Sequence, residues 1–453
     1  MILRSRSNTN HKAKRTMLIT RGPQPEPLAK FPSRKSETRF ARKALTRFCS
    51  PVRFVAAAIL LSGSWSSAQN LTLTSPAPIN SVKPRAPIGE GFFTNLPFKT
   101  SLSTDIGYDD NVFTSQTNRI GSTYNDVSLD VGSHIAGQRT RLDGDLLLGL
   151  TYYWNRPGQS VDPNIALNLT ASHQLTPRLV LNLSSSLAFQ GQPTFAVAGA
   201  PTKNVGDYFF GSSQLALGYE WTHRFSTVTS YNLSTYFYDN SIDAAQQNRL
   251  EHLIGQQLRY MLYPTVTAVG EYRFGYISYE TANTDSYSHF LLAGADSTLS
   301  PRLSSTFRGG VEFRTNLQPG GNQTAFPYFE STLFYEYRPG RFLQWYNRLG
   351  LEQSDIGSTQ NGQYKEVYRT GIRVDHKLGQ KAKISASVYY SYSQYRQPFS
   401  FSENAIDVNA TASYQIYRSL SLQVGYIFSR VSSKLPSQSY YRNRISLGGA
   451  LAF

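Results

Sequence analysis

The chain has 453 residues, of which 16% are charged and 13% are aromatic, and its mean hydropathy is −0.37. That hydropathy excludes a bundle of membrane helices, while the length allows one large domain or two to three ordinary ones. The net charge of +16 is unevenly spread, because residues 1–68 carry +12 and the remaining residues only +4. A nearly neutral body does not support nucleic-acid binding.

Residues 42–69 have the order of a secretory signal peptide: a basic stretch, an apolar run over residues 54–61, and a polar segment that ends in Ala68. We expect cleavage after Ala68. The apolar run is too short to cross a bilayer as a helix. The alternative is an organelle transit peptide, because residues 1–50 are rich in Arg and Ser and poor in acids.

Three segments are predicted: a basic leader with its signal peptide over residues 1–68, a Pro-rich periplasmic linker over residues 69–98, and a repetitive body over residues 99–453. The single cysteine, Cys49, lies in the leader. The body therefore cannot form disulfides, Cys-ligated metal sites or a Cys nucleophile.

The body repeats one pattern, in which 10–15 residues alternate between apolar and polar side chains and then break. In residues 139–154 the even positions are mostly Leu and end in Tyr152 and Trp154, whereas the odd positions include Arg141, Asp143 and Asp145. A period of two predicts a β-strand with one apolar face. The same pattern occurs in residues 265–276, 302–314, 364–378 and 406–416.

The breaks between these segments alternate in length. Eight are short turns, at residues 137–138, 176–178, 222–224, 263–264, 300–302, 338–341, 378–381 and 417–419. Longer polar loops lie between them, among them residues 191–206, 239–248, 315–325, 353–363 and 431–439. This spacing predicts about 18 strands (16–18), from residues 101–108 to residues 441–453, with all short turns and both ends of the body on one side.

Three features favour a transmembrane antiparallel up-and-down β-barrel over a soluble sandwich. The strands are long enough to cross the hydrocarbon. Aromatic residues gather where apolar faces end, as in the girdles of outer-membrane barrels. The chain ends on Phe453, with alternating apolar residues before it. Such an end resembles the signal that delivers outer-membrane barrels to the barrel-assembly machinery.

The first predicted strand contains Gly107-Tyr108-Asp109-Asp110-Asn111-Val112. It resembles the G-Y-D-x-N-V/I opening of the Putative beta-barrel porin 2 family of Gram-negative bacteria, and the pattern through to Phe453 is consistent with that family. The resemblance implies a porin-like barrel in the cell outer membrane, sometimes associated with exopolysaccharide export. For Asp109, Asp110 and Asn111, turn chemistry is the favoured interpretation, with a calcium site as the alternative.

No catalytic, cofactor-binding or metal site is predicted. None of the six His in the body has a Ser two positions away, the arrangement that a membrane-embedded Ser–His hydrolase would need. We therefore expect a protein that is not an enzyme and needs no cofactor, with a membrane-embedded hydrolase as the least favoured alternative.

Strand parity instead predicts a lumen lined by charges of both signs. Such side chains could brace the wall through cross-strand ion pairs or line a wet conduit, and mixed signs argue against strong ion selectivity. The predicted pore-lining residues are Arg141, Asp143, Asp145, Glu271, Arg273, Arg308, Glu312, Arg314, Arg348, Arg369, Arg373, Arg442 and Arg444.

Two functions fit this prediction. The first is passive or weakly selective passage of small polar solutes, with saccharides as a candidate class. The second is a non-conducting or plugged barrel in an exopolysaccharide export apparatus. An 18-strand barrel leaves an aqueous channel unless something plugs it, and the candidate plugs are loop 191–206 and residues 70–98. Expected partners are outer-membrane lipid and lipopolysaccharide and the barrel-assembly machinery, with a polysaccharide as a candidate.

Overall fold

The computed structural model describes residues 98–240, 246–281, 284–318, 321–354, 364–396 and 400–453. The predicted leader, its cleavage site after Ala68, Cys49 and nearly all of the linker lie outside these residues. Among the described residues, no helix is long and apolar enough to cross a membrane.

Eighteen antiparallel strands of 12–16 residues follow one another around a single sheet. The predicted fold class and strand number are confirmed. The strands are β1 Phe98–Asp109, β2 Ser122–Ala136, β3 Thr140–Tyr153, β4 Val161–Thr176, β5 Leu179–Gln190, β6 Tyr208–Glu220, β7 Phe225–Tyr238, β8 Arg249–Tyr263, β9 Val266–Tyr279, β10 Ser286–Ser300, β11 Leu303–Asn316, β12 Gln323–Arg338, β13 Arg341–Gln353, β14 Tyr364–Leu378, β15 Ala382–Tyr395, β16 Phe401–Gln415, β17 Leu420–Ser433 and β18 Tyr440–Ala452.

The sheet closes because β1 pairs with β18 as well as with β2, from Ser101↔Ala452 to Asp109↔Arg444. Closure leaves no free strand edge. At this seam Asp105 lies opposite Gly448, where a Cβ would stand 1.9 Å from the Asp105 carboxylate. Glycine at position 448 is therefore what lets the Asp105 side chain turn inward.

All eight predicted short turns join consecutive strands at one end of the barrel, which also holds the start of β1 and the end of β18. We call this the short-turn end and the opposite one the long-loop end. Gly340 and Gly379 adopt positive φ values of 68° and 66° in two of the short turns, a conformation that glycine adopts without strain.

Among the predicted strand segments, residues 406–416 fall furthest short of the observed strand. The alternating pattern starts at residue 406, but β16 begins at Phe401, because Ser402, Glu403 and Asn404 also pair across the sheet. These polar residues lie at the long-loop end, beyond the apolar part of the strand. Apolar alternation therefore marks the part of a strand that faces an apolar medium and misses the polar extension.

Candidate functional site: the barrel lumen

The two faces of the sheet differ in the way that a membrane barrel requires. In β11, Arg308 and Glu312 are fully buried, whereas the alternating Phe307 and Val311 are 46% and 37% exposed. The barrel therefore turns polar side chains inward and apolar side chains outward, the reverse of a soluble protein.

All thirteen predicted pore-lining residues occupy inward positions by this alternation, but the structure brings them into different surroundings. Arg141 is exposed at the short-turn end. Four are partly buried, namely Asp143, Asp145, Arg348 and Arg373. Eight are buried, namely Glu271, Arg273, Arg308, Glu312, Arg314, Arg369, Arg442 and Arg444. Their role in lining a solute path stays a prediction.

Several of the buried charges form a chain of ion pairs across β8 to β12. Glu271 accepts from Arg273 at 2.6 Å and from Arg308 at 3.2 Å. Arg273 continues to Glu330 at 2.6 Å. Arg308 continues to Asp296 at 2.7 Å, which also pairs with Arg259. Alternating signs let each buried charge meet an opposite one, so this part of the inner wall is braced and closely filled.

At the seam between β18 and β1, Asp109 takes the same bracing role. Arg442 donates to both of its carboxylate oxygens, and Arg444 lies 3.4 Å away. The Asn111 backbone N–H also donates to Asp109 at 3.0 Å, a hydrogen bond two residues along the chain. This bond is the predicted turn chemistry, and the same carboxylate also pairs with Arg442.

The β5–β6 loop, residues 191–207, folds into the lumen, and we call it the crossing loop. Its Phe195 packs with Tyr389, Ala405, Val431 and Tyr440 on β15 to β18. Its Phe195 O also accepts from Arg369 of β14. Because β14 lies nine strands from β5 in either direction around the barrel, the loop reaches the opposite wall. The prediction that loop 191–206 folds inward is confirmed.

The nearer wall packs against the middle of the crossing loop. Val197 and Ala200 form one buried cluster with four aromatic side chains of β6 and β7, which are Tyr208, Phe210, Tyr236 and Tyr238. Apolar side chains inside a polar lumen are stable only where they cover one another. This cluster therefore fixes the loop in its crossing position.

Side chains of the wall also bind the loop's backbone carbonyls. Arg369 Nη1 donates to Phe195 O at 2.9 Å, and Arg249 Nη2 donates to Gly199 O at 2.9 Å. The Tyr440 hydroxyl donates to Thr202 O at 2.6 Å. Gly199 has φ +70°, and a Cβ there would lie 2.6 Å from Arg249 Nη2. The Tyr236 hydroxyl also donates to Ala198 O. The loop is thus held at several points by groups that satisfy its buried backbone.

The Arg369 anchor is itself fixed by Glu352, which accepts from its Nε and Nη2 at 2.7 Å each. Glu352 also accepts from the Gly199 backbone N–H at 3.4 Å. This bidentate pair holds the guanidinium in one plane, so that its remaining N–H groups point at the crossing loop.

Beneath the crossing loop lies a cavity of about 140 Å³. Phe195 and Tyr389 contribute its aromatic surface, and the remaining lining is dominated by hydrogen-bonding side chains. Amides and hydroxyls come from Asn164, Gln190, Gln192, Thr194, Ser385, Ser387, Asn409 and Ser429, and charges come from Asp126, Asp162, Asp407, Arg373, Arg442 and Arg444. The cavity can bind a neutral, hydroxyl-rich molecule without leaving its polar groups unpaired.

At the end of the crossing loop, burial raises the pKa of Asp207, and the nearby carboxylates of Asp162 and Asp239 add to that rise, against the opposing effect of Arg156. Gly191 of the crossing loop lies against the Asp207 carboxyl, so we expect the docked loop to hold this proton more tightly than an undocked loop. Docking is favoured at acidic pH and weakens as the pH rises through the raised pKa of Asp207.

We expect Asp207→Asn to stabilise the docked loop at neutral pH and to flatten its pH dependence, because no charge has to be buried. The measurement is the rate of tryptic cleavage after Lys203, in the wild type and the variant, from acidic to neutral pH. Cleavage of the wild type should become faster as the pH rises, because the docking of the loop weakens. An equal pH dependence in both proteins would contradict this assignment.

Three residues that hold the loop were not predicted from the sequence. Arg249, Tyr236 and Tyr440 precede or follow the long loops, where apolar alternation is weakest. Arg249 shares the inward parity of Glu251, to which it donates at 2.7 Å, so parity could have placed it on the inner face. The sequence could not have predicted that Arg249 binds Gly199 O, because this contact depends on the path of the crossing loop.

A closed barrel with an apolar outside, a polar inside and an inward-folded loop defines a porin-like outer-membrane β-barrel. In sequence, the family model described as Putative beta-barrel porin 2 matches residues 352–453. The predicted resemblance is confirmed over this C-terminal quarter of the chain. No curated protein matches the chain significantly.

Solved structures similar to the chain include OccK5 (OpdH) of Pseudomonas aeruginosa, which is 11% identical, with 79% of this chain and 98% of that chain covered at a TM-score of 0.37. A BenF-like porin of Pseudomonas fluorescens Pf-5 is 8% identical, with 79% and 99% covered at a TM-score of 0.41. OccAB4 of Acinetobacter baumannii is 11% identical, with 79% and 99% covered at a TM-score of 0.37. Likeness at this level carries nothing about substrate.

Proposed function

We propose that this protein is an outer-membrane channel for small polar solutes, narrowed by its crossing loop, and that it is not an enzyme. The observation that carries the proposal is the polar cavity beneath the loop, inside a barrel whose outer face is apolar. The short-turn end, which holds the start of β1 and the end of β18, would face the periplasm, and the long loops would face outward.

Saccharides are the solute class that we favour. The cavity combines amide and hydroxyl groups with the rings of Phe195 and Tyr389, and sugars offer both hydroxyl groups and apolar C–H faces. The predicted pore-lining charges are largely paired, either with one another, as in Arg273–Glu271, or with another carboxylate of the wall, as in Arg442–Asp109. A wall of paired charges gives weak ion selectivity.

Assembly would follow the usual route for such barrels. We propose that the leader directs export and is cleaved after Ala68, and that the barrel-assembly machinery recognises the last strand. The Phe453 backbone N–H donates to Thr100 O at 2.8 Å, so the final residue sits at the seam that closes the barrel. Lipopolysaccharide and outer-membrane lipid would surround the finished barrel.

A second function is favoured by the docking of the crossing loop. The wall binds several of its carbonyls and buries Phe195, Val197 and Ala200. A loop held this firmly would suit a barrel that stays closed until a partner opens it, such as a component of an exopolysaccharide export apparatus. The proposed channel instead requires passage beside the docked loop.

Single-channel recording of the protein purified from outer membranes and inserted into a planar bilayer separates these functions. We expect discrete, long-lived steps on the order of a nanosiemens or below, as for a narrowed aqueous barrel. Neutral di- and trisaccharides should reduce the current while they occupy the cavity. Insertion without any conductance would refute the channel and favour the closed export component.

A further inference from the structure

The outer face of the barrel is almost free of charge. Among the described strand residues away from strand ends, the outward-facing charged side chains are Glu366 and Arg430. Glu366 accepts from Arg396 at 2.9 and 2.8 Å. Arg430 is exposed and forms no ion pair with the described residues. A cation on the lipid face is costly at the bilayer midplane and costs little near the interface, where anionic head groups attract it.

Arg430 lies within a group of cations at the long-loop end. It is the cross-strand partner of Tyr441, whose ring centre lies 3.3 Å from the guanidinium carbon of Arg119. Lys434 is exposed directly after β17. We call Arg119, Arg430, Lys434 and Tyr441 the basic rim patch.

The cations of the basic rim patch form no ion pair with a carboxylate among the described residues. Asp110, an acid at the same end of the barrel, is engaged by Asn443, whose backbone N–H and side-chain amide each donate to it at 2.7 Å. The patch therefore presents several cations around one aromatic ring, and guanidinium groups are suited to binding phosphate in a bidentate manner.

Towards the short-turn end, the strands next to the basic rim patch, β1, β17 and β18, present an apolar surface. This apolar strip includes Ile106 on β1, Leu422, Val424 and Tyr426 on β17, and Ile445 and Leu447 on β18, which are between 41% and 57% exposed. Cations above an apolar strip match a lipid whose head group carries phosphate and whose acyl chains lie along the strands.

We propose that the basic rim patch is a binding site for a phosphorylated glycolipid of the outer leaflet. Its phosphates would be bound by Arg119, Arg430 and Lys434, and its acyl chains would lie on the apolar strip. A head group with two phosphates uses several cations at once, which favours it over a phospholipid with one phosphate. The proposal rests on the outward orientation of the long loops, and it does not depend on conduction through the lumen.

The test uses the full protein, purified in mild detergent from outer membranes, and native mass spectrometry to count bound lipid during titration. The probes are bisphosphorylated lipid A, the same lipid A after removal of its phosphates, and phosphatidylglycerol. We expect lipid A to bind with the highest affinity. The double variant Arg119→Gln/Arg430→Gln should weaken that binding about tenfold or more, equivalent to about 1.4 kcal/mol.

The matched control is Arg396→Gln, which removes an exposed cation from the long-loop end but leaves the basic rim patch intact, and it should bind lipid A like the wild type. Equal binding of lipid A by the wild type and the double variant would overturn the proposal, as would equal binding of the dephosphorylated lipid or of phosphatidylglycerol. If the double variant fails to fold, the single variant Arg430→Gln takes its place. Because the patch faces outward, these variants should leave conductance unchanged, so a failure of the channel is recognised separately.

Discussion

Replacing residues 191–207 with a tight Asn-Gly turn should raise the single-channel conductance severalfold. Gln190 and Tyr208 are cross-strand partners at the ends of β5 and β6, so a two-residue turn can join these strands without changing their register. The wall of an 18-strand barrel then surrounds an aqueous lumen from which the crossing loop has been removed.

A milder change tests the anchors separately. Arg249→Ala combined with Arg369→Ala removes two donors to the loop's carbonyls and leaves the loop in place. We expect current that switches between the narrow level and a wider one, because the loop would leave its docked position part of the time. Gly199→Ala should act in the same direction, since its Cβ would collide with Arg249 and its φ of +70° disfavours a side chain.

Arg373→Ala is the matched control for these anchor variants. Arg373 lies on β14 with the inward parity of Arg369, but its Nε donates to Asp375 at 2.9 Å instead of to the crossing loop. Because Arg373 also lines the cavity, its loss should change the block by saccharides, but without saccharide the current should stay at the narrow level, because the loop keeps its anchors. An unchanged conductance after complete replacement of the loop would show that solutes do not pass the crossing loop.

The sequence predicted the features that depend on neighbouring residues and missed those that depend on contacts between distant residues. Alternation and turn residues are local properties, and they predicted the strand number and all eight short turns. The contact between Arg369 and Phe195 O joins positions 174 residues apart. It requires both the closure of the barrel and the inward path of one loop. The sequence indicated loop 191–206 as a candidate plug, but not which side chains would hold it.

The same limit applies to the ion pairs. Parity placed Glu271 and Arg308 on the inner face, yet their pairing depends on the registers of β9, β10 and β11 taken together. The prediction left open whether such charges brace the wall or line a conduit. Their burial and short distances show that Glu271, Arg273 and Arg308 brace the wall.

That bracing predicts a large loss of stability for Glu271→Ala. The variant would leave Arg273 and Arg308 buried without the carboxylate that both contact, although Glu330 and Asp296 would remain as second partners. Removing one partner of a buried ion pair typically costs about 3–5 kcal/mol. We expect a loss near the lower end of this range, measured as the free energy of unfolding in urea with the barrel in detergent micelles.

Two comparisons identify the cause of that loss. Glu271→Gln keeps the shape of the side chain and two hydrogen-bonding groups, so it should cost less than Glu271→Ala. Glu366→Gln breaks the exposed pair with Arg396, and such a pair contributes little. Equal stability of Glu271→Ala and Glu366→Gln would contradict a bracing role for the buried chain of ion pairs.

Measurements of conductance then distinguish a residue that braces the wall from a residue that contacts the passing solute. If Glu271 acts through its arginine partners, the folded Glu271→Ala protein should unfold at lower urea while its conductance steps and its block by saccharides stay close to those of the wild type. A residue that contacts the passing solute would change the block at unchanged stability, as we expect for Tyr389 in the cavity beneath the crossing loop. The two halves of the lumen would thus differ in kind: β8 to β12 form a rigid wall of paired charges, and the cavity between the crossing loop and β14 to β18 provides the groups that meet the solute.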